Sequence, residues 1–153
     1  MLFVAGLLSL CLFAQPRSGE ATASIVKAVL ETNAKMLQAA NQLNADLFFD
    51  YILESDPSVL IQNGTVFKTR EEAFQAVKRG FQGMQKMNRA FDNPQVTVLG
   101  PELALLTSEG TLAATLADGR AINGRFAVSL IFVQKSGQWK LIHGHYSTPA
   151  RNP

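Results

Sequence analysis

The sequence predicts an α+β domain in which helices from the first part of the chain pack on one face of an antiparallel sheet from the rest. Two patterns predict it. Apolar residues recur at helical spacing along most of the chain up to Ala90, and after Asn93-Pro94 strand-like segments alternate with turn dipeptides to the end. No repeat, linker or low-complexity segment interrupts either part. At 153 residues the chain suits one domain, and 47% hydrophobic against 17% charged residues excludes disorder, collagen and coiled coil. A chain of this size buries roughly 68–70% of its unfolded surface, so it needs neither disulfides nor a structural metal.

Leu2 to Ala14 (LFVAGLLSLCLFA) carries no charge and leads into Gln15-Pro16-Arg17-Ser18-Gly19. The run is shorter than the roughly 20 residues a membrane span needs, and Ala21-Thr22-Ala23 offers a small-x-small cleavage pattern. Residues 1–23 are therefore read as a secretory signal segment and 24–153 as the mature domain, secreted or periplasmic, with no membrane association after signal removal. Cleavage after Ala14 is a second option, and a buried N-terminal helix is the alternative to export. The one cysteine, Cys11, falls inside the apolar run, so the mature chain would hold no disulfide. Acylation at Cys11 is disfavoured by Leu10, which stands where processing wants a small side chain. Net charge is +2 with Lys and Arg scattered singly, which argues against nucleic acid as a partner.

The first helix of the domain is expected over Ser24 to Leu43, where Ile25, Val29, Met36, Ala40 and Leu43 form the apolar stripe and Glu31 precedes Lys35 at i, i+4. Asp46 to Ile52 reads as a short second helix, closed by Asp56-Pro57. Val59 to Gln62 and Thr65 to Phe67 flank Asn63-Gly64, a strong hairpin signal. That context makes Asn63-Gly64-Thr65 a turn rather than a glycosylation site. Thr69 caps a third helix with Glu71 and Glu72 at its positive end, expected to run through Ala90 and to bury Phe74, Val77, Phe81, Met84 and Met87. The Met84/Met87 and Phe48/Phe49 pairs fit ordinary core or the lining of a lipophilic pocket. Strands are then expected over 95–99, 103–108, 111–116, 121–133 and 138–146, separated by Gly100-Pro101, Glu109-Gly110, Asp118-Gly119 and Ser136-Gly137.

The last strand holds most of the candidate chemistry. A period of two places Trp139, Leu141, His143, His145 and Ser147 on one face and Lys140, Ile142, Gly144 and Tyr146 on the other. Two imidazoles about 7 Å apart can act as proton donor and acceptor near neutrality, or sit as hydrogen-bonded framework residues. A catalytic zinc site needs three protein ligands and no third one stands out, so no metal and no cofactor is expected. On the preceding strand Arg125, Ala127, Ser129, Ile131 and Val133 share one face, with Phe126, Val128, Leu130 and Phe132 opposite. Apolar rows on both faces need two covers. The helices supply one, and a second subunit placed on the Phe126 to Phe132 row would supply the other.

Gly137-Gln138-Trp139-Lys140-Leu141-Ile142-His143-Gly144-His145-Tyr146-Ser147 resembles the closing strand of SnoaL-like domains in the nuclear transport factor 2-like superfamily. The likeness extends to Asn63-Gly64 leading into Arg70-Glu71-Glu72, to Val96-x-Val98-Leu99-Gly100, to Asp118-Gly119-Arg120 and to Phe126 to Val133. The resemblance implies a cone-shaped, curved antiparallel sheet wrapped on three N-terminal helices, with a pocket at the wide end and frequent dimerisation through the sheet. His143 and His145 are the candidate catalytic pair, and Arg125, Ser129, Trp139, Tyr146 and Ser147 the candidate ligand-binding residues, with a solvated strand-end arginine as the alternative for Arg125. Ser129 stands where relatives often have a pocket Thr, and Ala127 where they often have Arg. Val59 to Gln62 lacks the pocket carboxylate of ketosteroid isomerase-type sites, so that design is not expected. Two functions follow as expectations. One is an exported, homodimeric pocket protein that binds, and in one version transforms, a small apolar or carbonyl-bearing molecule. The other is a non-catalytic dimeric assembly domain.

Overall fold

The computed structural model describes residues 18–54 and 59–149; the apolar run from Leu2 to Ala14, and with it the leader assignment, lies outside the described residues. In chain order the elements are α1 (Ser18–Asn41), α2 (Ala45–Phe49), β1 (Val59–Gln62), β2 (Thr65–Phe67), α3 (Arg70–Gln82), β3 (Met84–Gly100), β4 (Leu103–Leu116), β5 (Ala121–Lys135) and β6 (Gln138–Ser147). The strands form one sheet in the order β2-β1-β6-β5-β4-β3, antiparallel throughout except where β1 runs parallel to β6.

That order corrects the expected cone. The sheet is mixed, and it is neither closed nor strongly curled. The β1–β2 hairpin joins beside β6, and β2 is three residues long, too short to reach across to β3, so both outer strands remain edges.

The helices follow the expected logic with shifted ends. α1 buries Val29, Met36, Ala39 and Ala40 at helical spacing, but it begins at Ser18, so Ala21-Thr22-Ala23 sits in its first turns. In α3 the Thr69 side chain accepts from the Glu72 N–H at 3.1 Å while Glu72 Oε2 accepts from the Lys68 N–H at 2.8 Å, a reciprocal cap. The helix stops at Gln82, with Gly83 as its C-cap, well short of Ala90. Met84 and Met87 belong to β3, because pairing with Leu116 and Ala114 outweighs a helix weakened by Gly80 and Gly83.

Two boundaries expected in the sheet, one before its first long strand and one at a turn, are likewise corrected. Asn93-Pro94 is absorbed in a bulge between Asp92 and Gln95, which an edge strand tolerates. Glu109-Gly110 lies inside β4: a Cβ at Gly110 would collide with the Ala90 carbonyl oxygen and the Phe126 ring, so the glycine permits close packing. Asn63 and Gly64 both adopt positive φ, 49° and 82°, as a tight hairpin turn requires.

The core lies between the helices and one sheet face. Val29 and Met36 of α1 and Phe48 and Phe49 of α2 join Leu106, Phe126, Val128, Leu130, Phe132, Trp139 and Leu141 of the sheet in one buried cluster. The Phe126 to Phe132 row is thus covered by the chain's own helices, and Leu130 and Phe132 are fully buried. The row offers no surface to a second subunit, which corrects the reason given for dimerisation. Outward from β5 point Arg125, Ala127, Ser129, Ile131 and Val133.

Candidate ligand-binding site

A bulge decides which β6 residues face inward. Ile131 pairs with His143 and Phe132 with Leu141, so Ile142 is the extra residue and the alternation reverses there. It falls where β6 changes neighbour: Leu141 bonds the backbone of Tyr51 and Leu53, and from His143 onward β6 pairs with β1. Trp139 and Leu141 face the core before the bulge, as do Gly144 and Tyr146 after it. His143, His145 and Ser147 face outward, not with Trp139 as strict alternation predicts.

Tyr146 therefore enters a cavity of about 100 Å³ between α2, α3 and the sheet. Phe48 and Ile52, Val77 and Phe81 of α3, and Met84 and Met87 of β3 form its apolar wall; Gln62, Arg89 and Tyr146 are its polar members. The same three residues also border a vestibule of about 380 Å³, whose rim includes Asn63, Asn123 and Arg125. They form the partition between chamber and vestibule.

Arg89 is held from two directions. Its backbone N–H donates to Asn41 Oδ1 at 2.7 Å, and Asn41 Nδ2 donates to its carbonyl at 3.0 Å, tying β3 to the end of α1. Its guanidinium carbon lies 5.4 Å from the ring centroids of both Phe126 and Tyr146, within cation–π range. Nε is buried without a hydrogen-bond partner, and among the described residues no carboxylate forms an ion pair with Arg89. Arg125 differs: it is exposed and paired with Glu109 at 2.8 Å and Asp92 at 3.6 Å. Burial raises the Tyr146 phenol above its ordinary pKa, with the positive charge of Arg89 opposing the shift, so it stays protonated and able to donate at neutral pH.

The sequence-predicted site residues are divided among several places. Tyr146 lines chamber and vestibule, and Arg125 stands at the vestibule rim. Trp139 is a core residue, 6% exposed. His145 and Ser129 are cross-strand neighbours on the outer face, and His143 pairs with Ile131 there. His143 also borders a gap of about 20 Å³ beneath Val59 and Ile142, the size of one water. Ser147 shares an outer hollow with Arg125 and Glu109. Arg89 and Gln62 escaped the sequence reading. Strand alternation from Met87 through Arg89 to Phe91 places Arg89 inward, whereas the helical spacing of Phe81, Met84 and Met87 predicts a helix there. Among the described residues no group of three His, Cys, Asp or Glu could hold a metal ion, and no helix is long and apolar enough to cross a membrane.

Helices over one face of an open six-stranded sheet, with a cavity between them, define an architecture shared by many solved structures. A nuclear transport factor 2-like superfamily protein from Salmonella enterica is 17% identical, with a TM-score of 0.78 over 86% of this chain and 96% of that one. A protein with a cystatin-like fold from Caulobacter vibrioides is also 17% identical, with a TM-score of 0.70 over 82% and 89%. A hexachlorocyclohexane dehydrochlorinase is 10% identical, with a TM-score of 0.74 over 87% and 90%. At these identities the likeness is one of fold. A comparison with curated proteins returns no match. The model of the SnoaL-like domain family matches residues 29–151, and the chain belongs to that family.

Proposed function

We propose that the protein binds a small molecule in the chamber between α2, α3 and the sheet, reached through the vestibule that Arg125 borders. One observation carries this reading: about 100 Å³ stays open among Phe48, Phe81, Met84 and Met87, with Gln62, Arg89 and Tyr146 as the polar part of the lining. Cores are otherwise packed to crystal-like density, and an apolar cavity with a few convergent polar groups is the usual form of a ligand site. Among the described residues the chamber lining contains neither carboxylate nor imidazole, and so no group there that would abstract a proton at neutral pH. Binding is the better-supported reading than turnover. The test is ¹⁹F NMR with fluorobenzene, a neutral ring, against the native protein. Saturable binding, lost in Ala76→Trp and in Val77→Phe, is expected; equal binding to folded blocked variants would place the ring elsewhere.

A second reading, a homodimeric assembly domain, is favoured by the outer sheet face. Val59, His143, Ile131 and Leu105 form one cross-strand row on it, and Ile61, His145, Ser129 and Thr107 the next. Leu99 and Leu103 stand exposed on the strands beyond. A second copy seated there would cover the apolar rows and put the histidines at the dimer centre. Ile131→Glu is then expected to be a folded monomer by light scattering, and an unchanged mass would remove this face from consideration. Export belongs to the same proposal, with the leader removed after Ala14, because cleavage after Ala23 would cut into α1. N-terminal sequencing of exported protein distinguishes the two sites.

A further inference from the structure

We infer that the molecule bound in the chamber is an organic monocarboxylate, its carboxylate gripped by Arg89 with Tyr146 and Gln62 at the partition and its apolar body directed into the chamber. This rests on the pocket reading above and names the ligand class. Among the described residues, chamber and vestibule together are lined by two arginines and by no Asp or Glu. Of the two cations Arg125 is neutralised by Glu109 and Asp92, while Arg89 has no ion-pair partner among the described residues.

A guanidinium facing an apolar space carries a desolvation cost that an opposite charge offsets and a neutral carbonyl does not. Phe126 and Tyr146 contact the guanidinium carbon through their rings, an arrangement that leaves N–H edges for a ligand and is suited to two parallel bonds with a planar carboxylate. The Asn41 clamp on the Arg89 backbone fixes the base of the side chain before the ligand arrives. One uncompensated positive charge matches one negative charge, which favours a carboxylate over a phosphate dianion. The apolar wall of Phe48, Val77, Phe81, Met84 and Met87 encloses room for about one ring or a short alkyl chain.

The test compares 4-fluorobenzoate with 4-fluorobenzamide by ¹⁹F NMR on the full chain, beside fluorobenzene. Both share the ring and differ in charge. The native protein is expected to prefer benzoate by about ten-fold or more, the scale of a charged hydrogen-bond pair. Arg89→Met should abolish that preference, so that benzoate binds no better than benzamide, and Arg89→Lys should retain part of it. Fluorobenzene binding with no benzoate preference in the native protein overturns this inference and leaves the pocket reading intact. Failure of all three probes overturns both. A preference that survives in folded Arg89→Met also overturns it, and if that variant does not fold, the native ratio with Arg89→Lys decides.

Discussion

Asn41→Ala tests how the polar wall is held. Among the described residues no strand pairs beyond β3, and the Asn41 side chain takes the place of a neighbouring strand for the Arg89 backbone, accepting one hydrogen bond at 2.7 Å and donating another at 3.0 Å. Truncation leaves a partly buried N–H and C=O without those partners. At about 1–1.5 kcal/mol for each bond, discounted for partial access of water, the loss is about 2–3 kcal/mol. In a domain of this size that is roughly 5–10 °C in Tm. Gln38→Ala, on an exposed turn of the same helix, should stay within about 0.5 kcal/mol of the native protein. Thermal melts followed by circular dichroism read both variants, and 4-fluorobenzoate binding should weaken in Asn41→Ala as Arg89 loses its anchor. A native Tm in Asn41→Ala would refute the claim that this clamp ties β3 to α1.

Leu130→Glu should fail to fold, because Leu130 is fully buried under the helices and a carboxylate there is left unpaired at a cost of several kcal/mol; a folded product by circular dichroism would contradict the assigned sheet face. Gly110→Ala should lose at least about 1–3 kcal/mol in urea melts, since its methyl group meets the Ala90 carbonyl and the Phe126 ring. Tyr146 has its pKa raised in the folded chain, so the native state binds more protons than the unfolded one in alkaline solution. Its contribution is complete below about pH 10 and is lost as pH rises through the folded pKa. Tyr146→Phe should show a shallower alkaline loss of Tm than the native protein, and identical slopes would contradict the buried placement of the hydroxyl.

Most of the architecture was legible in local sequence. Asn63-Gly64 gave the hairpin with the strands on either side as expected, Thr69 gave the start of α3, and the apolar stripe of α1 gave the face that packs on the sheet. What the sequence concealed was long-range. The end of α3 depends on β4, which recruits Met84 onward into a strand despite the helical spacing of the methionines. Gly110 resembles a turn glycine until Ala90 and Phe126 are placed against it. The facing of His143 and His145 turns on one extra residue, Ile142, at a point where β6 exchanges neighbours, and period-two reasoning has no access to that. Arg89 was hidden for a related reason: its significance comes from having no ion-pair partner among the described residues and from Asn41, 48 residues earlier. Period-two alternation does put Tyr146 on the face opposite the histidines, and it alone of the last strand's candidates lines the chamber.

The most direct measurement is a crystal structure of the protein soaked with 4-iodobenzoate, with the iodine located by its anomalous signal. The iodine is expected inside the chamber, among Phe48, Val77, Phe81 and Met84, with both carboxylate oxygens within hydrogen-bond distance of the Arg89 guanidinium. An iodine position on the outer sheet face beside His143 and His145, with the chamber empty and Arg89 uncontacted, would contradict this placement.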